Sequence, residues 1–198
     1  MQTTIHLVRH CQVENPSNIA YGRMPGFHLS KGGGEKAKKV GEFFKGKNIS
    51  IIYTSPLERA FETANIISDF LSKDVKIIHK YELIEIDASK WQSFSLSELF
   101  QNKYFEAFMS DPQSSKVPEN LSALAARMEK FALKLGELEK GREIICVSHE
   151  YPILALRLKL EGKPLTQLKD NYAELGSVTT FVFEEDWTLR EVSYTEIQ

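Results

Sequence analysis

Short apolar runs alternate along the chain with longer stretches whose apolar residues recur at helical spacing. Ile5 to Val8 is the first run, Ile49 to Thr54 the second, Val75 to Ile78 the third and Glu143 to Ser148 the fourth. Each has the length and composition of a strand. Toward the C-terminus, Ser177 to Phe183 and Thr188 to Tyr194 flank Glu184-Glu185-Asp186, the pattern of a hairpin. Between these runs, Leu57, Ala60, Phe61, Ala64, Ile67 and Leu71 trace one helical stripe, and a longer one runs from Leu121 to Leu138. Ala37, Val40, Phe43 and Phe44 mark a third helix, weakened at its start by Gly32-Gly33-Gly34. Ser95 to Met109 reads as a further helix and Ser110 to Pro118 as a loop.

This alternation predicts an α/β fold. The expected form is a three-layer sandwich: a largely parallel central sheet with an antiparallel C-terminal strand, helices on both faces and a small helical insertion. A length of 198 residues suits one domain, residues 1–198, with a lobe inserted at roughly 89–119.

Composition changes the picture mainly by exclusion. With 42% hydrophobic and 26% charged residues the chain can bury a proper core. A formal net charge of -2 argues against nucleic acid or a membrane surface as partner. Cys11 and Cys146 are too few for a disulfide framework and lack metal-site spacing, and no His, Cys, Asp and Glu cluster suggests a metal. The N-terminus has no signal-peptide pattern and no run is long enough to span a membrane, so a reducing cytoplasm is the expected location. No pattern assigns an oligomeric state.

In open sheets, ligands bind beyond the carboxyl ends of the strands. The first strand ends in Arg9-His10 and the fourth in Ser148-His149; the second leads into a helix carrying Arg59 in its first turn. Ser55 is placed to cap that helix, Pro56 to open it and Glu58 to complete a Ser-x-x-Glu capping box. A helix N-terminus with an arginine beside it suits an anion, and the guanidinium fork matches phosphate oxygens. Each feature alone is commonplace. Two histidines and two arginines converging on one sheet edge are not.

Leu7-Val8-Arg9-His10 resembles the signature of the histidine phosphatase superfamily, the cofactor-dependent phosphoglycerate mutase-like proteins. Leu29-Ser30-Lys31-Gly32-Gly33 with Lys36-Ala37 is similar to that family's Leu-Thr-x-x-Gly-x-x-Gln-Ala segment. Ser55 to Ala64 fits Ser-x-Leu-x-Arg-Ala-x-x-Thr-Ala at every fixed position. Leu83-Ile84-Glu85 resembles the segment holding the acid, and Val147-Ser148-His149 the second histidine motif. The resemblance implies that His10 attacks phosphorus, that Arg9, Arg59 and His149 hold the phosphoryl oxygens, and that Glu85 protonates the leaving oxygen. Glu82 and Asp87 lie near Glu85 but read as solvated loop charge. Neighbouring Arg9 and Arg59 should keep His10 neutral, and a bound phosphate should raise the Glu85 carboxyl, giving an acidic to neutral optimum. No metal and no cofactor are implied; the expected partners are a small phosphorylated substrate and inorganic phosphate.

Arg23, in the loop Tyr21 to His28, is a candidate for a second anionic group of the substrate, with a plain surface arginine as the alternative. His28 reads as a loop residue and His6 and His79 as structural. Asn15 is displaced by one position from the family's asparagine, which Pro16 occupies. Cys11 stands where the family has glycine, beside cations that would favour its thiolate. Gln12, Ser89, Gln92-Ser93 and Glu150 depart as well. Glu150 replaces the glycine after His149 and places a carboxylate near the expected phosphate.

The leading expectation is a metal-independent phosphatase acting on small phosphomonoesters. One rival is phosphoglycerate mutase-type transfer, weakened because the segment from Trp91 to Val117 has Lys103 and Lys116 but no arginine. The other is a catalytically weak phosphate-binding protein on the same scaffold.

Overall fold

The computed structural model describes all 198 residues. Strands β1 (Thr3–Arg9), β2 (Ile49–Thr54), β3 (Lys76–His79), β4 (Glu143–Ser148), β5 (Val178–Phe183) and β6 (Leu189–Thr195) form one sheet in the order β3-β2-β4-β1-β5-β6. β1, β2, β3 and β4 pair in parallel, and β5 runs antiparallel to both β1 and β6. The C-terminal hairpin is where the alternation placed it, and the strand ends differ from the expected ones by a residue or so.

Strand alternation divides the core in two. Ile5, Leu7, Tyr53, Ile144, Cys146 and Phe181 face one side. Helices α5 (Leu121–Leu138) and α6 (Glu150–Leu160) pack on that side. Val8, Ile52, Ile145, Val147 and Val178 face the other, under α1 (Lys31–Phe44) and α2 (Glu58–Ser68). Strands buried on both faces read as continuous apolar runs, as β4 does with Ile-Ile-Cys-Val. The sandwich therefore has three layers.

Four local features depart from expectation. The glycines at the start of α1 do not weaken it: Ser30 caps the helix through the Gly33 N–H, and a Cβ on Gly33 would lie 2.0 Å from the Gln12 carbonyl oxygen. Glycine is what lets the loop after β1 lie against this helix. The expected helix from Ser95 to Met109 is two, α3 (Leu96–Leu99) and α4 (Lys103–Ser110), because Asn102 turns out to cap the second and so breaks the first. α6 has no apolar stripe to reveal it: Pro152 to Leu156 are all buried, so it is apolar nearly all round. The capping box at α2 is absent. That helix starts at Glu58 with Leu57 at its cap and no side-chain cap bond; the Ser55 hydroxyl accepts from the Leu57 N–H at 3.4 Å, ahead of the helix, and also meets His149.

Candidate active site

The carboxyl ends of β1, β2 and β4 bring the expected residues together. β1 pairs with β4 in register up to Arg9–Ser148, and the His10 N–H continues the ladder to the Ser148 carbonyl at 3.0 Å. The His10 and His149 rings are thereby 5.1 Å apart between centroids. Arg59, fully buried in the first turn of α2, reaches the same point from β2 and donates from Nε to His10 Nε2 at 3.2 Å. Its NH2 donates to the Gly22 carbonyl at 2.7 Å, and its guanidinium lies 4.8 Å from the centre of the Tyr21 ring.

The hydrogen bonds assign the His10 tautomer. Nδ1 lies 2.8 Å from the Cys11 carbonyl oxygen, which can only accept, so Nδ1 carries the proton. Nε2, facing the Arg59 donor, carries the lone pair. Burial holds the His10 pKa well below the usual imidazole range, and Arg59 and Arg9 push the same way. His149 is lowered for the same reasons, burial first and then Arg59; its Nε2 lies 2.8 Å from Ser55 Oγ. The serine expected to cap α2 thus orients the second histidine instead.

Arg9 lines the same cavity as His10. It donates to the Ala173 carbonyl, pairs with Glu150 at 2.9 Å and lies 5.3 Å from the centre of the Tyr172 ring. Glu150 opens α6, where a carboxylate suits the helix dipole, and it turns toward Arg9 rather than away from the site. Three buried nitrogens have no partner within the protein: Arg9 Nε, Arg59 Nη1 and His149 Nδ1. Buried polar atoms are rarely left so, and their clustering around His10 suits an oxyanion.

Glu85 opens onto the same cavity of about 430 Å³ as Arg9, His10 and Glu150. Its carboxyl is raised to about 7, chiefly by burial. The Ile86 N–H and Arg59 oppose this rise, and nearby Glu150 adds to it. A half-protonated acid at neutral pH therefore exists without any bound anion, by desolvation rather than by the phosphate repulsion expected from sequence.

Arg23 does not enter the cavity. Its Nε donates to the Glu85 carbonyl at 2.7 Å and its Nη2 to Glu119 at 2.8 Å. Glu119 also accepts from Arg127 Nε at 2.8 Å and from the Asp87 N–H at 3.1 Å, while Arg127 donates to the Glu82 and Ile84 carbonyls. Arg23 is thus one of three residues clamping the Glu82 to Asp87 backbone. Glu119 and Arg127 carry no sequence signal of their own; one precedes α5 and the other lies within it.

Of the remaining candidates only Asn15 lines the cavity in front of His10. His6 bridges Thr180 and Glu143, and His28 pairs with Glu62 at the surface. The Asn15 side chain closes its own loop onto Ile19. Burial pushes the Cys11 thiol up to about 12, outweighing the Thr63 hydrogen bond and the Lys36 charge that act the other way. No group of three His, Cys, Asp or Glu is placed to hold a metal ion, and no helix is long and apolar enough to cross a membrane.

The family model of the histidine phosphatase superfamily (branch 1) matches residues 5–195. An uncharacterised protein of Mycobacterium tuberculosis is 33% identical over 98% of this chain and 96% of its own. Phosphoserine phosphatase 1 of Hydrogenobacter thermophilus is 27% identical, over 90% of this chain and 86% of that protein. Among solved structures, phosphoserine phosphatase of Entamoeba histolytica in complex with 3-phosphoglyceric acid aligns with a TM-score of 0.85 at 25% identity, covering 99% of this chain and 98% of that one.

Proposed function

The chain belongs to the histidine phosphatase superfamily, and on that premise we propose that it hydrolyses small phosphomonoesters through a phosphohistidine on His10, without a metal. The observation that carries this reading is the state of two facing groups. His10 presents an unprotonated Nε2 while Glu85, across the same cavity, retains a proton near neutrality.

In this reading the phosphate enters between Arg9, Arg59 and His149. The Arg59 Nε–H moves from His10 Nε2 to a phosphoryl oxygen, which frees the lone pair. Nε2 then attacks phosphorus as the P–O bond to the alcohol breaks, and Glu85 donates its proton to the departing oxygen. The arginine forks meet charge on the equatorial oxygens. The Glu85 carboxylate next takes a proton from water as the water oxygen attacks phosphorus, and the N–P bond breaks. Orthophosphate leaves, and both groups return to their starting forms. Such chemistry needs no cofactor. A reducing cytoplasm, where two buried free thiols persist, is part of the same proposal.

The test is incubation of EDTA-treated protein with a phosphomonoester panel that includes phosphoglycerates, beside a His10→Ala control. Phosphate release from the parent protein that is lost in the control is the expected result. Release that persists in the control, or that vanishes on EDTA treatment, would sink the mechanism.

A further inference from the structure

The cavity in front of His10 is chemically two-sided. Its inner end holds Arg9, His10, Glu85 and Glu150; Ala20, Ala88, Trp91, Leu96 and Leu99 make up much of the wall beyond, and Asn15, Tyr21, Tyr151 and Tyr172 are the neutral polar side chains of the lining. Phe100, 79% exposed, stands at the mouth. Arg9 is the one lining side chain with a permanent positive charge, and Glu150 already pairs with it. Arg59 is buried against His10, and Arg23 and Arg127, against the acid loop, are engaged by Glu119 and by backbone carbonyls.

We infer that the site selects monophosphates of apolar alcohols, aromatic or aliphatic, that carry no second anionic group, and that Glu150 is the residue that enforces this choice. The inference rests on the phosphatase reading above and names its substrate class. A phosphate seated among Arg9, Arg59 and His149 uses the available positive charge. A carboxylate elsewhere on the same substrate meets no free cation, and it faces Glu150 beside Arg9 or a largely apolar wall whose few neutral polar groups offset its desolvation only in part. An apolar body loses nothing polar in that cleft and removes the wall from water. The lobe from α3 to α4 supplies that wall through Leu96, Leu99 and Phe100, so the insertion is a specificity element.

Steady-state kinetics on 1-naphthyl phosphate and 3-phosphoglycerate test this directly. The expected kcat/KM ratio is about 100-fold in favour of the aryl ester, the scale set by an unpaired polar group in a closed site. Glu150→Gln should narrow that ratio about tenfold, mostly through a lower KM for 3-phosphoglycerate. Phe100→Ser, at an exposed position where folding is not at stake, should narrow it from the other side by lowering kcat/KM for the aryl ester about fivefold. Equal or better use of 3-phosphoglycerate by the parent protein overturns the inference, as does its isomerisation. A ratio unmoved in both variants overturns the roles of Glu150 and the lobe. If no ester is hydrolysed, or hydrolysis survives in His10→Ala, it is the phosphatase reading that fails and this inference falls with it.

Discussion

Two arginine–glutamate clusters flank Glu85, and they are wired differently. Behind the acid loop, Glu119 accepts from Arg23, Arg127 and the Asp87 N–H, and both arginines spend further donors on backbone carbonyls. In front of it, Arg9 has one carboxylate partner and an unpaired Nε, and Arg59 leaves Nη1 unpaired. The rear cluster spends its donors on one carboxylate and on the backbone of a loop, which it holds in place. The unsaturated one carries unmet hydrogen bonds, a cost that a protein bears where a ligand completes the set. In the proposed mechanism, buried donors without a protein partner, more than the presence of arginine, mark the groups that meet the phosphate.

The contrast can be broken most severely at Arg59. Arg59→Lys should lower kcat/KM about 100- to 1,000-fold while leaving the melting temperature near that of the parent, because a point charge cannot replace the fork. A variant with lower melting temperature and intact turnover would reverse the assignment. Glu119→Gln should do the opposite: stability falls by about 2–3 kcal/mol in urea titration, as two arginines lose their shared counter-charge, and kcat falls only about tenfold. Should turnover collapse with stability unchanged, the rear cluster is chemical after all.

Two smaller effects follow from Glu85. Because its folded-state pKa is about 7 and the acid must be protonated, kcat/KM should be flat below that value and fall about tenfold for each pH step of one above it. A pH–rate profile reads this limb directly, and its persistence in Glu85→Gln would assign it elsewhere. Stability carries the smallest signature. A carboxyl with a raised folded-state pKa costs stability as pH climbs from its unfolded value near 4.5 to about 7, where the loss is complete. Glu85→Gln should therefore melt a few degrees above the parent at pH 8 and close to it at pH 4.5; equal melting at both would place the carboxyl in water.

Much of this was legible in advance. Apolar runs and stripes yielded the strands, the C-terminal hairpin and helices α1, α2 and α5; reading strand ends located Arg9, His10, Arg59 and His149, and the family resemblance added Glu85. α6 escaped because burial on all sides erases periodicity. The split into α3 and α4 escaped because Asn102 caps only when the preceding turn ends there. Ser55, read as a cap, is claimed by a histidine 94 residues away.

What the sequence determined by itself is the fold class and the kinds of groups present, since periodicity and motif order are local properties that survive without coordinates. What only the tertiary structure decided is the state and allegiance of those groups. Whether Arg23 meets a substrate or Glu119, whether Glu150 turns toward Arg9, whether Cys11 ionises and why Glu85 holds a proton all depend on desolvation and on partners distant in sequence. Those quantities fall off within a few ångströms and vary with packing, so no one-dimensional pattern records them.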